Sequence, residues 1–232
     1  MEATGVGGGF TGEPRLADPP TMPTARPRIL LLNASLAGDD GNTAVILTRA
    51  RRRIARRATV ESVTLAVPPA SPSRAGSSTF TPELRAALGR ADAFLFGTGT
   101  HWDSWSSVLQ KFLEDATPAE GTAIWLGKPA AVVVSEHSTG GKGVLSRLQG
   151  VLVTLGCTLP PMSGLVLSRA ALAAAKHDRA AARDFWCEAD LGIVCHNLAE
   201  AARLTLKDAR AAAPRWRHWP VDRRDFRARW IA

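Results

Sequence analysis

The chain has 232 residues, 45% of them hydrophobic and 22% charged, and a formal net charge of +8. That length suits one domain with a sizeable core. Its three cysteines, Cys157, Cys187 and Cys195, are odd in number and form no CxxC pair, which indicates neither a disulfide framework nor a zinc site. The basic charge takes the form of no zinc finger, RNP motif or other compact nucleic-acid module, so the arginine clusters are expected to be solvated faces, with no specific nucleic acid bound.

Residues 1–26 are rich in Gly, Pro and Thr, with neither a basic n-region nor an apolar run of signal-peptide length. They are expected to be a disordered leader. No later run reaches the roughly 18 apolar residues that span a bilayer, so the expectation is a soluble cytoplasmic protein with no membrane contact.

From there strand and helix signals alternate. Residues 28–33, RILLLN, are a short continuous apolar run, as in a strand buried on both faces. Asn42 and Thr43 open a helix whose apolar face carries Val45, Ile46 and Ile54, with arginines opposite. A strand follows at 60–67, then a Pro/Ser/Gly linker at 68–80. Thr81 and Pro82 suit the start of a short helix over 81–90. A buried strand is expected at 91–98, an amphipathic helix at 106–116, the most strand-like segment at 128–135 and a helix at 143–157. The last strand, 158–168, is irregular at its start because of Pro160 and Pro161. A long helical stretch runs from about Ala170 to Ala213, with a break near Gly192. Five strands alternating with five helices imply right-handed βαβ units and a parallel α/β sheet. They fit the flavodoxin-like order 2-1-3-4-5, an inference about topology that the sequence does not itself display, and ligands of such sheets sit outside the carboxyl ends of the strands.

Three loops fall at such ends. The first, 33–43, supplies Ser35, Gly38, Gly41, Asn42 and Thr43 where a helix begins, a composition that lets amides approach a phosphate. Asp39 and Asp40 would oppose an anion and are placed outward. Alone, the loop reads equally as an ordinary turn with Asn42 as helix cap. The second, 97–106, offers the hydroxyls of Thr98, Thr100 and Ser104 beside the flat faces of His101, Trp102 and Trp105. The bland alternative buries Trp105 in the core and lays Trp102 over the sheet edge. The third, 135–143, contains Gly140 and Gly141, which free the backbone for close approach. His137 there reads as a solvated loop histidine or a proton donor.

Residues 91–116, ADAFLFGTGTHWDSWSSVLQKFLEDA, resemble the AD-x-x-x-x-G-[ST]-P-x-Y-x-x-S-x-S-x-x-L-K-x-F segment of NADPH-dependent FMN reductases and NAD(P)H:quinone reductases. RILLLNASLAGDDGNT resembles that family's opening strand and phosphate loop. KPAAVVVSEHSTGGKGVLSRLQGVLVTLGCTLPP resembles its later strand and flavin loop. Together the likeness covers about residues 28–168.

The resemblance implies a flavodoxin-like three-layer fold, placed over 27–213; by composition residues 214–232 are expected to be a basic Arg/Trp-rich tail. It implies bound FMN, with NAD(P)H as donor and a flavin, quinone or similar small molecule as acceptor. Ser35, Asn42 and Thr43 would hold the phosphate. Thr98, Gly99, Thr100, His101 and Trp102 would border the ribityl chain and ring. Ser135, His137, Gly140 and Gly141 would meet the other edge. The flavin carries the chemistry, so no catalytic side chain is required, and His137 is the candidate proton donor. The resemblance also implies a homodimer or tetramer, with the Ala170–Ala213 stretch as interface. Gly99 replaces the usual Pro, His101 or Trp102 the usual Tyr, and Leu36 and Ala37 the loop arginine. These departures point to weaker FMN retention. The alternative function is a flavodoxin-fold binding or regulatory protein with weakened or lost flavin binding.

Overall fold

The computed structural model describes residues 25–66, 78–178, 180, 185–210 and 216–219. The leader before residue 25, most of the expected linker and the tail apart from 216–219 lie outside the described residues. Five strands, β1 (Arg28–Ala34), β2 (Thr59–Thr64), β3 (Ala93–Gly99), β4 (Ala130–Glu136) and β5 (Gly164–Ser168), form one sheet in the order 2-1-3-4-5. Every pairing is parallel. This is the flavodoxin-like doubly wound arrangement.

β1, β3 and β4 sit inside the sheet, and alternate residues feed opposite faces. On one face Leu30, Leu32, Phe94, Phe96, Val132 and Val134 meet α2 (Pro82–Arg90), α3 (Ser107–Ala116) and α4 (Gly141–Leu155). On the other, Ile29, Leu31, Leu95 and Val133 meet α1 (Asn42–Ile54) and α6 (Glu188–Arg210). Full burial on both sides explains why these strands read as unbroken apolar runs. The first face is dominated by rings: Phe94 lies 5.1 Å from Trp125, and Phe112 packs on Phe80, Phe96 and Trp125. Truncating Phe94 to Ala would cost roughly 3–5 kcal/mol through the cavity it leaves.

Helix starts follow the expected capping chemistry in three places. Thr81 accepts from Leu84 N, Ser106 from Leu109 N and Ser168 from Ala171 N. The linker's far end is pinned: Thr79 donates its amide (2.7 Å) and hydroxyl (2.9 Å) to Asp115 on α3.

The expected helix break near Gly192 is incorrect. Gly192 lies inside α6, where a Cβ would meet nothing within 4 Å. The interruption comes earlier, between α5 (Arg169–His177) and α6, giving six α-helices rather than five among the described residues. Asp178 leaves the helical region at φ −142°, and the Asp190 carboxylate accepts from Cys187 N at 2.7 Å to start the new helix. The last strand starts at Gly164 rather than at 158, because Pro160 and Pro161 carry the chain round a turn after a lone bridge between Pro129 and Thr158. β2 ends at Thr64, short of the expected 67.

Candidate functional site

The loops after β1, β3 and β4 converge at the carboxyl end of the sheet. The first is organised by Asn33, the last-but-one residue of β1. Its carboxamide donates to Gly38 O (3.0 Å) and Thr64 Oγ1 (3.3 Å), and its Oδ1 accepts from Ser35 N (3.2 Å). This network curls residues 35–41 onto the start of α1. Gly41, its N-cap residue, is close-packed there: a Cβ would lie 2.1 Å from Ser35 Oγ.

Unlike α2, α3 and α5, α1 has no side-chain cap. Its first intrahelical bond runs from Val45 N to Gly41 O at 3.3 Å. The amides of Gly41, Asn42, Thr43 and Ala44 therefore have no intrahelical acceptor, and the helix dipole adds partial positive charge there. Asn42 is not the cap; it is the first helical residue, with its side chain exposed. Ser35 Oγ accepts from Ala37 N at 3.3 Å, which leaves its proton available to an anion. Asp39 turns toward β2, accepting from Thr64 Oγ1 and from Asn33 Nδ2 at 3.4 Å. Its carboxylate is held by these two donors, on β2 and β1.

Gly97 brings α1 close to the sheet, since a Cβ on β3 at this point would lie 2.8 Å from Leu47 and 2.9 Å from Thr43. That approach lets Thr43 Oγ1 share a hydrogen bond with Ser135 Oγ at 2.9 Å. The first and third loops are thereby joined directly.

In the second loop Thr98 is fully buried. Its hydroxyl donates to Gly99 O and accepts from Ser106 N. It shapes the loop from within. His101 and Ser104 exchange backbone bonds of 2.8 and 2.9 Å around Trp102 and Asp103, both at positive φ (47° and 56°). This is a tight two-residue hairpin of the primed type, which favours Asn and Gly. Trp102 at its tip is entirely in solvent, and His101 is also exposed. Trp105 instead packs partly buried against the ring-rich core and donates Nε1 to Gln110.

The third loop closes against the second. Gly140, at φ +89°, leaves room for Asp103 Oδ1 and Thr100 Cγ2, at 2.1 and 3.2 Å from where its Cβ would be. Thr100 Oγ1 is buried with no hydrogen-bond partner. His137 is exposed, and its carbonyl accepts from Ala170 N at 2.9 Å. Glu136 takes a place that sequence reasoning did not assign: its carboxylate accepts from Gly141 N at 2.6 Å, so it caps α4. Asn33 and Ser106 were likewise missed. Ser106 Oγ donates to Ala34 O at 2.6 Å while capping α3, binding the second loop to the end of β1.

These residues fit FMN. The uncapped amides beside the Ser35 hydroxyl suit a phosphate. The orphan Thr100 hydroxyl suits a polar ring edge, while the space beside Gly140 is taken by Asp103 of the second loop. Ser35, Asn42, Thr43, Gly99, Thr100, Ser135, Gly140 and Gly141 are brought to this end together. Thr98 serves the loop's interior, and Trp102 does not pack over it.

The fold has many solved counterparts. RosB with a bound 8-demethyl-8-formylriboflavin-5'-phosphate intermediate aligns at TM-score 0.61 and 15% identity, covering 89% of this chain and 96% of its own. An oxidoreductase from Corynebacterium diphtheriae aligns at 0.56 and 14%, covering 78% of this chain and 98% of its own. The apo NADH:FMN oxidoreductase EmoB aligns at 0.52 and 17%, covering 78% and 89%. At these identities the likeness establishes the fold. No curated protein compared with the chain matches it. The family model for NADPH-dependent FMN reductase matches residues 27–171, more than half of the chain, and the chain belongs to that family.

Proposed function

We propose that the protein is an FMN-dependent NAD(P)H oxidoreductase that reduces a small acceptor, a flavin, quinone or similar molecule. The observation that carries this reading is the open start of α1 beside Ser35, locked by the Thr43–Ser135 hydrogen bond to the end of β4. Ser35, Asn42 and Thr43 would hold the FMN phosphate. Gly99, Thr100, Ser135, Gly140 and Gly141 would border the ribityl chain and ring, with His101, Trp102 and His137 on the open side. Bound FMN supplies hydride transfer between donor and acceptor. The chain's own work is to orient the ring, to neutralise the phosphate with amides and hydroxyls, and, at exposed His137, to offer a proton to the acceptor.

Flavin analysis of the purified protein, FMN titration and NAD(P)H oxidation with a panel of acceptors test this. FMN-dependent turnover supports it. Failure to bind FMN at saturating concentration overturns it. That failure would favour the second reading, a flavodoxin-fold binding protein without working flavin chemistry, which the solvent position of Trp102 supports.

We also propose a homodimer or tetramer acting in the cytoplasm, where NAD(P)H is supplied. No described helix is long and apolar enough to cross a membrane. The α6 stripe Leu191, Val194, Leu198 and Ala202 is spent on the protein's own core, so among the described residues Leu172, Phe185, Ile193 and Leu204 are the large exposed apolar side chains left there for a partner. A monomeric mass in light scattering across micromolar concentrations would overturn the assembly.

A further inference from the structure

The amino end of the sheet, opposite the candidate flavin site, carries a second built feature. The short segment Trp216–Trp219 lies across a slot made by the residues after α3, those before β4 and the end of α4. Three contacts seat it. Trp219 Nε1 donates to Glu120 Oε1 at 2.7 Å. The Trp216 indole lies so close to Gly127 that a Cβ there would come within 2.5 Å of it, and His218 would lie 2.9 Å from a Cβ on Gly121. Both glycines are left-handed, at φ +78° and +62°, so each is required by its own backbone and by the segment lying on it. A cleft of about 180 Å³ remains beneath, with Cys157 on its wall.

We propose that residues 216–219 are a C-terminal strap and that this slot is its recognition site: a glycine-floored groove that takes an aromatic-x-x-aromatic segment, filled in cis by the chain's own. Trp216 and Trp219 are 55% and 57% exposed, so the strap is a surface ligand and not part of the core. A contact of this size opens locally, at lower free energy than global unfolding. The source of the strap follows from its tether. Five residues separate Arg210 from Trp216, a span of roughly 20 Å at most. So short a link holds the segment at an effective concentration in the millimolar range, above that of a second copy at ordinary protein concentrations.

The cysteines provide the test. Cys157 is buried beneath the strap, Cys195 is buried on the other face with its Sγ 3.9 Å from Ala50 O, and Cys187 is exposed. Burial pushes both buried thiols up to about 12, so each reacts slowly until it is uncovered. The experiment uses the full chain with Cys187→Ser and follows maleimide labelling at Cys157 and Cys195 by peptide mass. Adding Trp216→Ala and Trp219→Ala should speed labelling of Cys157 roughly ten-fold or more, as loss of an aromatic anchor does, and leave Cys195 unchanged. Trp219→Phe keeps the ring but loses the bond to Glu120 and should give a smaller acceleration at Cys157 alone. Equal acceleration at both thiols would mean general destabilisation and would overturn the proposal, as would no change at Cys157. Protection of Cys157 that grows with protein concentration would show a strap exchanged between copies and overturn the cis assignment.

Discussion

Thr43 and Ser135, ninety-two positions apart in sequence, share one hydrogen bond of 2.9 Å at the centre of the candidate site. It joins the helix that would hold a phosphate to the strand end that would border a ring. Thr43→Val keeps the shape and removes the hydroxyl, leaving Ser135 Oγ without this partner. FMN affinity is expected to fall by about 1 kcal/mol, the ordinary net value of such a bond. A double-mutant cycle with Ser135→Ala, read by flavin fluorescence titration, should show that the two losses are not additive. Additive losses would separate the two loops energetically.

Ser35→Asp places a carboxylate beside the open amides of α1. FMN binding should weaken sharply, while riboflavin, which lacks the phosphate, should be much less affected. Equal losses for both ligands, or none for either, would remove the loop from phosphate binding.

Asp115 predicts a pH dependence of stability. Burial works to raise its carboxyl, but Lys111 and the amide and hydroxyl of Thr79 outweigh it and hold the group below the ordinary aspartate range. A lowered folded value means the unfolded chain binds the proton more readily. The resulting stability is complete above the ordinary range and is lost as pH falls through the lowered folded value. Asp115→Asn should therefore lower Tm at neutral pH, and the gap from the parent should close in acid. A gap that stays constant from neutral to strongly acidic pH would show that the charge does not contribute.

The interior strands were legible because burial on both faces writes an unmistakable apolar run, as in Leu30–Leu32 and Val132–Val134. The convergence of the three candidate loops at the carboxyl end of the sheet was legible because parallel strand order fixes which loop ends lie together. The break assigned to Gly192 failed because glycine's cost within a helix is only about 1 kcal/mol, which packing on α1 overrides. The real helix start was written in Asp190, three residues after Cys187, in the manner of a capping box. Glu136 and Asn33 were not legible, because each acts through backbone atoms that only the folded turn brings to it. The strap was not legible either: Trp219 and Glu120 are ninety-nine positions apart, and no local pattern links them.

Trp102 and Trp105 should separate strain from packing. Trp102 holds a left-handed backbone that costs a non-glycine residue about 1–2 kcal/mol, and its ring makes up none of this through burial. Strain kept in a ligand-side turn suggests a use for the ring there. Asn tolerates this conformation, so Trp102→Asn should stabilise the fold by about 1 kcal/mol, raising Tm by roughly 2–4 °C for a chain of this size. If the indole closes over a flat ligand, the same variant should lose about 1–3 kcal/mol of FMN affinity, taking base stacking on an aromatic side chain as the guide. Trp105 is packed on the core and bonded to Gln110. Trp105→Ala should therefore act in the opposite sense, lowering Tm by several degrees with a smaller effect on binding. Melting curves and fluorescence titrations on both variants decide the matter. A Trp102→Asn protein that is more stable and binds FMN like the parent would leave the exposed indole without a role at the flavin and would move the search for its ligand to the acceptor or to a partner subunit.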